Sequence, residues 1–109
     1  MLKILIADDH PLVRIGLKQI LLETYDQLVV DEAGDSQQVM NKALNNDYHL
    51  ILLDLNMPDV SGLEMVKQLK AEKPNLPILI LSIHPEELYA IPALRAGASG
   101  YLTKDKIHR

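Results

Sequence analysis

Five short aliphatic runs recur along the chain: Leu2 to Ala7, Leu28 to Ala33, Leu50 to Leu53, Ile78 to Leu81 and Gly100 to Thr103. Between them the apolar residues fall at helical spacing, as Val13, Leu17, Ile20 and Leu21, then Val39, Met40, Ala43 and Leu44, then Leu63, Val66 and Leu69. Strand and helix therefore alternate. Pro11 suits a first helical position, Asp35 with Gln38 and Ser61 with Glu64 have capping-box spacing, and Gly34, Pro74, Pro77 and Gly97 punctuate the ends. Leu50 to Leu53 and Ile78 to Leu81 are apolar at every position, the pattern of central parallel strands covered on both faces, whereas Asp31 and Glu32 mark the second run as an edge strand. Right-handed crossovers then predict a doubly wound five-stranded sheet. Pro92 sits inside the fourth helical segment, Glu86 to Ala96, so that helix either lacks one backbone hydrogen bond and kinks, or starts near Tyr89.

Composition narrows the classes. At 109 residues one domain, 1–109, is expected, and 48% hydrophobic with 24% charged residues is globular. A net charge of -4 disfavours a surface for nucleic-acid phosphates, so no DNA contact is expected from this segment itself. The absence of cysteine excludes disulfides, thiolate chemistry and Cys-based zinc sites. The first apolar run meets Asp8 and Asp9 too soon for a secretory signal or membrane span, which predicts a cytoplasmic protein without membrane contact.

Polar residues gather where the strands stop: Asp8 and Asp9 after the first, Asp54 after the third, Ser82 after the fourth, Lys104 after the fifth. In an open α/β sheet the ligand crevice lies outside these carboxyl ends, so all five should converge. Crowded carboxylates repel unless a divalent cation neutralises them or one of them takes up a proton, and Mg²⁺, with its oxygen shell and retained waters, is the expected cofactor. Ser82 and Lys104 are then placed to hold phosphoryl oxygens, and the pocket suits phosphoryl transfer. Taken singly, these residues have plainer readings. Asp8 and Asp9 could complement a helix dipole, Ser82 could be a turn hydroxyl and Lys104 an edge-strand lysine. Tyr101 could be a static packed aromatic and Met57 a packing side chain. His10, His49, His84 and His108 show no i, i+4 pairing, so surface or loop positions are expected for them rather than metal ligation.

Four stretches carry a family resemblance: Ile6-Ala7-Asp8-Asp9-His10-Pro11, Leu53 to Gly62 with Asp54, Asn56, Pro58 and Gly62 in register, Leu81-Ser82, and Ala96 to Asp105. Together they resemble the receiver domain of a two-component response regulator, similar in fold to the chemotaxis response regulator (flavodoxin-like, CheY-like), with strand order 2-1-3-4-5. The Asp-His-Pro opening and the Gly-Ala-Ser-Gly-Tyr-Leu-Thr-Lys-Asp ending resemble the NarL/LuxR-type subfamily, whose members usually carry a C-terminal helix-turn-helix DNA-binding domain. The resemblance implies that Asp54 accepts a phosphoryl group from the phosphohistidine of a sensor histidine kinase. It implies that Asp9, Asp54 and the Asn56 carbonyl bind Mg²⁺ directly and Asp8 largely through water. Ser82 would move toward the phosphoryl oxygen, Tyr101 would rotate as an aromatic switch, Lys104 would contact the phosphoryl group, and the output would be transcription. No activity beyond self-directed phosphotransfer and autodephosphorylation is expected.

Two positions depart from the family pattern. Asp105 follows Lys104 where many receivers have a cis-proline, and a cis bond before a non-proline costs roughly 3–4 kcal/mol. Ile83 follows Ser82 where many have Ala or Gly, and its bulk would narrow entry to the site. A rival reading, a Mg²⁺-dependent aspartyl-phosphate hydrolase, usually needs a second Asp two residues after the nucleophile, where this chain has Asn56, and a cap domain, which is not expected within these 109 residues. A flavin-binding electron carrier would want a hydroxyl- and glycine-rich phosphate loop in place of Asp8-Asp9-His10-Pro11. Only five residues follow Lys104, too few for the fifth helix of a receiver. The expectation is therefore a fragment lacking that helix and a C-terminal DNA-binding domain, or a homodimer in which a neighbouring chain covers the sheet face beside Val13, Leu17 and Ile20.

Overall fold

The computed structural model describes residues 1–55, 60–82 and 86–103. Along the chain run β1 (Leu2–Ala7), α1 (Pro11–Thr24), β2 (Leu28–Ala33), α2 (Ser36–Asn45), β3 (Leu50–Asp54), α3 (Gly62–Glu72), β4 (Ile78–Ser82), α4 (Glu86–Ala96) and β5 (Gly100–Thr103). Each aliphatic run is a strand, and β3 and β4 extend one residue further, to Asp54 and Ser82. The helix starts follow the local chemistry. Pro11 opens α1, the Asp35 carboxylate accepts from Gln38 N–H at 2.8 Å, and the Ser61 hydroxyl accepts from Glu64 N–H at 3.2 Å.

All strand pairs are parallel, in the order β2-β1-β3-β4-β5. The acidic strand is therefore an edge and the fully apolar ones are interior. Alternation sorts the side chains. Leu5, Ala7, Ile51, Leu53, Ile78 and Ile80 meet α2, α3 and α4 through Val39, Ala43, Met65, Val66, Leu69 and Ala93. Ile4, Ile6, Val30, Leu52 and Leu81 form a second cluster with Leu17 of α1. Burying each large aliphatic side chain contributes about 1.5–3 kcal/mol, so the two apolar layers hold the helices on the sheet. On the α1 face Val13 and Ile20 are half-buried, as are Leu79 and Leu102, while Leu12, Ile15 and Leu22 of α1 and Ile91 and Leu94 of α4 are exposed.

The fourth helix takes the earlier of its two possible starts, with Pro92 in its interior. Pro92 has no N–H to give to the carbonyl one turn back, a defect that costs about 3 kcal/mol in an isolated helix. Packing and termination offset it: Ala93 is fully buried, Ala98 N–H donates to the Ala93 carbonyl and Gly97 N–H to the Leu94 carbonyl. That is a Schellman stop, and it requires the φ of +116° that Gly97 adopts.

Candidate functional site

The register of three strands assembles the site. Ala7 pairs with Leu53, so Asp8 and Asp54, 46 residues apart in sequence, leave adjacent strands at one edge. Asp54 pairs with Leu81, which puts Ser82 at the same edge of β4. Asp8, Asp54 and Ser82 are all buried, against the usual tendency of charged groups to face water. One oxygen each from Asp8, Asp9 and Asp54 and one ring nitrogen of His10 lie within 4.8 Å of one another. Three carboxylates in that space suit a hard divalent cation, because oxygen donors replace part of its water shell while its charge offsets theirs.

Backbone and side-chain ties hold this edge in shape. Asp8 N–H donates to the Ala33 carbonyl at 3.0 Å and Leu55 N–H to the Leu81 carbonyl at 2.9 Å. The Arg14 guanidinium donates to the Asp8 carbonyl at 2.5 Å and to Glu32 Oε1 at 3.1 Å, pinning the acidic turn to β2. Arg14 was missed in the sequence, where only its place one turn after His10 hinted at a role. Gly62 N–H donates to the Leu55 carbonyl at 2.8 Å, and a Cβ at Gly62 would stand 2.6 Å from Leu55 Cα. Only glycine lets α3 begin this close to the end of β3.

Tyr101 on β5 pairs with Ile80 and packs, half-buried, against the apolar layer on the α2–α4 face. Asn56, Ile83, Lys104 and Asp105 lie outside the described residues, and with them the direct ligand carbonyl, the entry constriction, the phosphoryl-contacting lysine and the peptide after it. His10 makes contacts that the sequence did not show. It is exposed as expected, with 59% of its side chain accessible, yet its Nδ1 lies 2.8 Å from Asp8 Oδ1, 2.9 Å from Asp9 Oδ1 and 3.9 Å from Asp54 Oδ2. The sequence test sought histidine pairs along one helix, whereas the partners here are two carboxylates of the turn after β1 and one at the end of β3.

The family model for the response regulator receiver domain matches residues 4–108. The chain belongs to the response regulator receiver family. The nitrate/nitrite response regulator protein NarL of Escherichia coli K12 is 42% identical over 102 residues, covering 94% of this chain and 47% of that protein. The chain spans about half the length of the curated relatives it matches. Among solved structures, a LuxR-family two-component response regulator from Aurantimonas sp. SI85-9A1 superposes with a TM-score of 0.88 at 31% identity, covering 94% of this chain and 73% of that one. The response regulator TrrA of Thermotoga maritima, in complex with Mg(2+)-BeF, gives 0.84 at 30% identity, with coverage of 95% and 87%. The receiver thus has the fold and the NarL/LuxR-type kinship that its strand-end motifs suggest.

Proposed function

We propose that this receiver is a phosphorylation-dependent signalling switch in which Asp54 is the phosphoacceptor. The observation that carries the reading is the convergence of Asp8, Asp9 and Asp54 at one strand edge, with the buried Ser82 beside them. A carboxylate oxygen of Asp54 attacks the phosphorus of a sensor kinase phosphohistidine. The new P–O bond forms as the P–N bond breaks, and the electron pair leaves with the kinase imidazole. The product is an acyl phosphate on Asp54. Asp9, Asp54 and the Asn56 carbonyl would hold Mg²⁺, with Asp8 acting through water, and the ion would supply positive charge against the transferring phosphoryl oxygens. The Mg(2+)-BeF complex of TrrA supports that choice of ion. Ser82 donates its hydroxyl to a phosphoryl oxygen and Lys104 offers its ammonium, so both follow the modification. Tyr101 responds by rotating, which redistributes two conformations toward one that engages partners.

The output we propose is transcription, through a DNA-binding domain of the longer protein, in line with the NarL/LuxR-type kinship and with the half-length match to NarL. A cytoplasmic location follows from that role; among the described residues no helix is long and apolar enough to cross a membrane. The test is incubation with Mg²⁺ and acetyl phosphate, read by intact mass. One added phosphoryl group on the wild type and none on Asp54→Asn is the expected result. Continuous turnover of an external phosphate ester would instead indicate a hydrolase.

A further inference from the structure

His10 is bound into the acidic edge by geometry that the phosphoacceptor reading does not use. His10 precedes Pro11, which disfavours helical backbone at His10 and keeps it extended, at φ -98° and ψ 107°. Its backbone N–H donates to Asp8 Oδ1 at 2.8 Å, so the residue folds back over the carboxylates while its outer ring edge stays in solvent. The ring nitrogen Nδ1 then stands 2.8 and 2.9 Å from oxygens of Asp8 and Asp9 and 3.9 Å from Asp54 Oδ2. In an octahedral shell with bonds of about 2.1 Å, neighbouring donors are about 3.0 Å apart and opposite donors about 4.2 Å apart. The separations from Asp9 Oδ1 and Asp54 Oδ2 match one neighbouring donor and one nearly opposite, while Asp8 Oδ1, which acts through water, accepts the His10 backbone N–H.

We infer that His10 is a nitrogen donor of this cation site and turns its selectivity from Mg²⁺ toward borderline divalent ions such as Mn²⁺ and Co²⁺. The inference rests on the cation-binding reading above and concerns which ion that site prefers. Oxygen-only shells suit Mg²⁺, which gains little from an imidazole, whereas affinity for nitrogen rises along Mn²⁺, Fe²⁺, Co²⁺ and Ni²⁺. Ligation through Nδ1 needs the tautomer that carries its proton on Nε2. With 59% of the side chain exposed, Nε2–H can meet water and leaves no buried donor unsatisfied. The rival role for the same geometry is a hydrogen bond from Nδ1–H to the carboxylates, with the ring displaced by any ion that binds.

The two roles separate spectroscopically in the untagged full chain. Electron spin-echo modulation of the Mn²⁺ complex should show a ¹⁴N coupling that His10→Asn and His10→Ala both lose. In calorimetric titrations those variants should lose about tenfold or more in Co²⁺ affinity, at least the loss that outer partners of metal sites carry. Their Mg²⁺ affinity should stay within about twofold of wild type, since Mg²⁺ is held by oxygen. Mn²⁺ binding to the wild type without ¹⁴N coupling would overturn the inference and leave the cation site standing. Equal losses for Mg²⁺ and Co²⁺ would also overturn it, by showing that His10 only shapes the acidic turn. Failure of the wild type to bind any of the three ions would overturn both readings together.

Discussion

Toward the N-terminal ends of β1 and β3, polar side chains close on one another and reach Asp31 partway along β2. The Tyr48 hydroxyl donates to Asp31 at 2.6 Å, the Lys3 ammonium donates to Asn46 at 2.9 Å and lies 5.3 Å from the Tyr48 ring centroid, and His49 Nδ1 accepts from Lys3 N–H at 2.9 Å. The acid at this edge meets a neutral donor, with a cation beyond the ring. At the C-terminal edge the same sheet brings three carboxylates and an imidazole within 4.8 Å of one another. The difference between the two ends lies in the polar groups. One edge is completed by side-chain pairs, and the other concentrates negative charge, an arrangement suited to a cation and to phosphoryl chemistry.

Breaking the charged edge should have the largest effect. Asp9→Ala removes one of the three carboxylates, and Mg²⁺ affinity should fall by about tenfold or more, measured by calorimetric titration. Because like charges this close repel by about 3–4 kcal/mol at an effective dielectric of 20, a figure that the exposure of Asp9 reduces, the cation-free variant should also melt higher than the wild type. A lower melting point would mean that Asp9 is already compensated within the fold. Gly62→Ala tests the support beneath that edge. The new methyl meets the Leu55 backbone, which cannot yield as a flexible side chain would, and a destabilisation of about 1–3 kcal/mol is expected in urea unfolding. The weakening should extend to Mg²⁺ binding, because Leu55 directly follows Asp54.

The smallest effect belongs to the paired edge. Tyr48→Phe should cost about 1 kcal/mol at neutral pH through the lost bond to Asp31. Burial, together with the hydrogen bond and charge of Asp31, holds the Tyr48 phenol well above the ordinary tyrosine range. A phenol raised in the folded state contributes stability that is fully present below the unfolded value near pH 10 and is lost as pH rises through the higher folded value. Wild type should therefore lose stability above about pH 10 more steeply than Tyr48→Phe, and the two unfolding curves should converge. Parallel curves would place the alkaline sensitivity elsewhere.

What the sequence determined by itself was local. Short aliphatic runs set the strands, helical spacing and capping residues set the helix starts, and Asp31 with Glu32 marked β2 as an edge, because each signal lies within one element and its immediate neighbours. The motifs at the strand ends were equally legible, since Asp8, Asp9, Asp54 and Ser82 stop their strands in a pattern that the sheet need only bring together. Long-range geometry decided the rest. Whether α4 could begin before Pro92 depended on the burial of Ala93 and the Gly97 stop. That Tyr48 would reach Asp31, that Arg14 would tie Asp8 to Glu32, and that His10 would face three carboxylates depended on parallel register and helix placement. No periodicity in one stretch of chain encodes the distance between side chains 17 or 46 residues apart; that distance is fixed only when the strands pair and the apolar layers close over them.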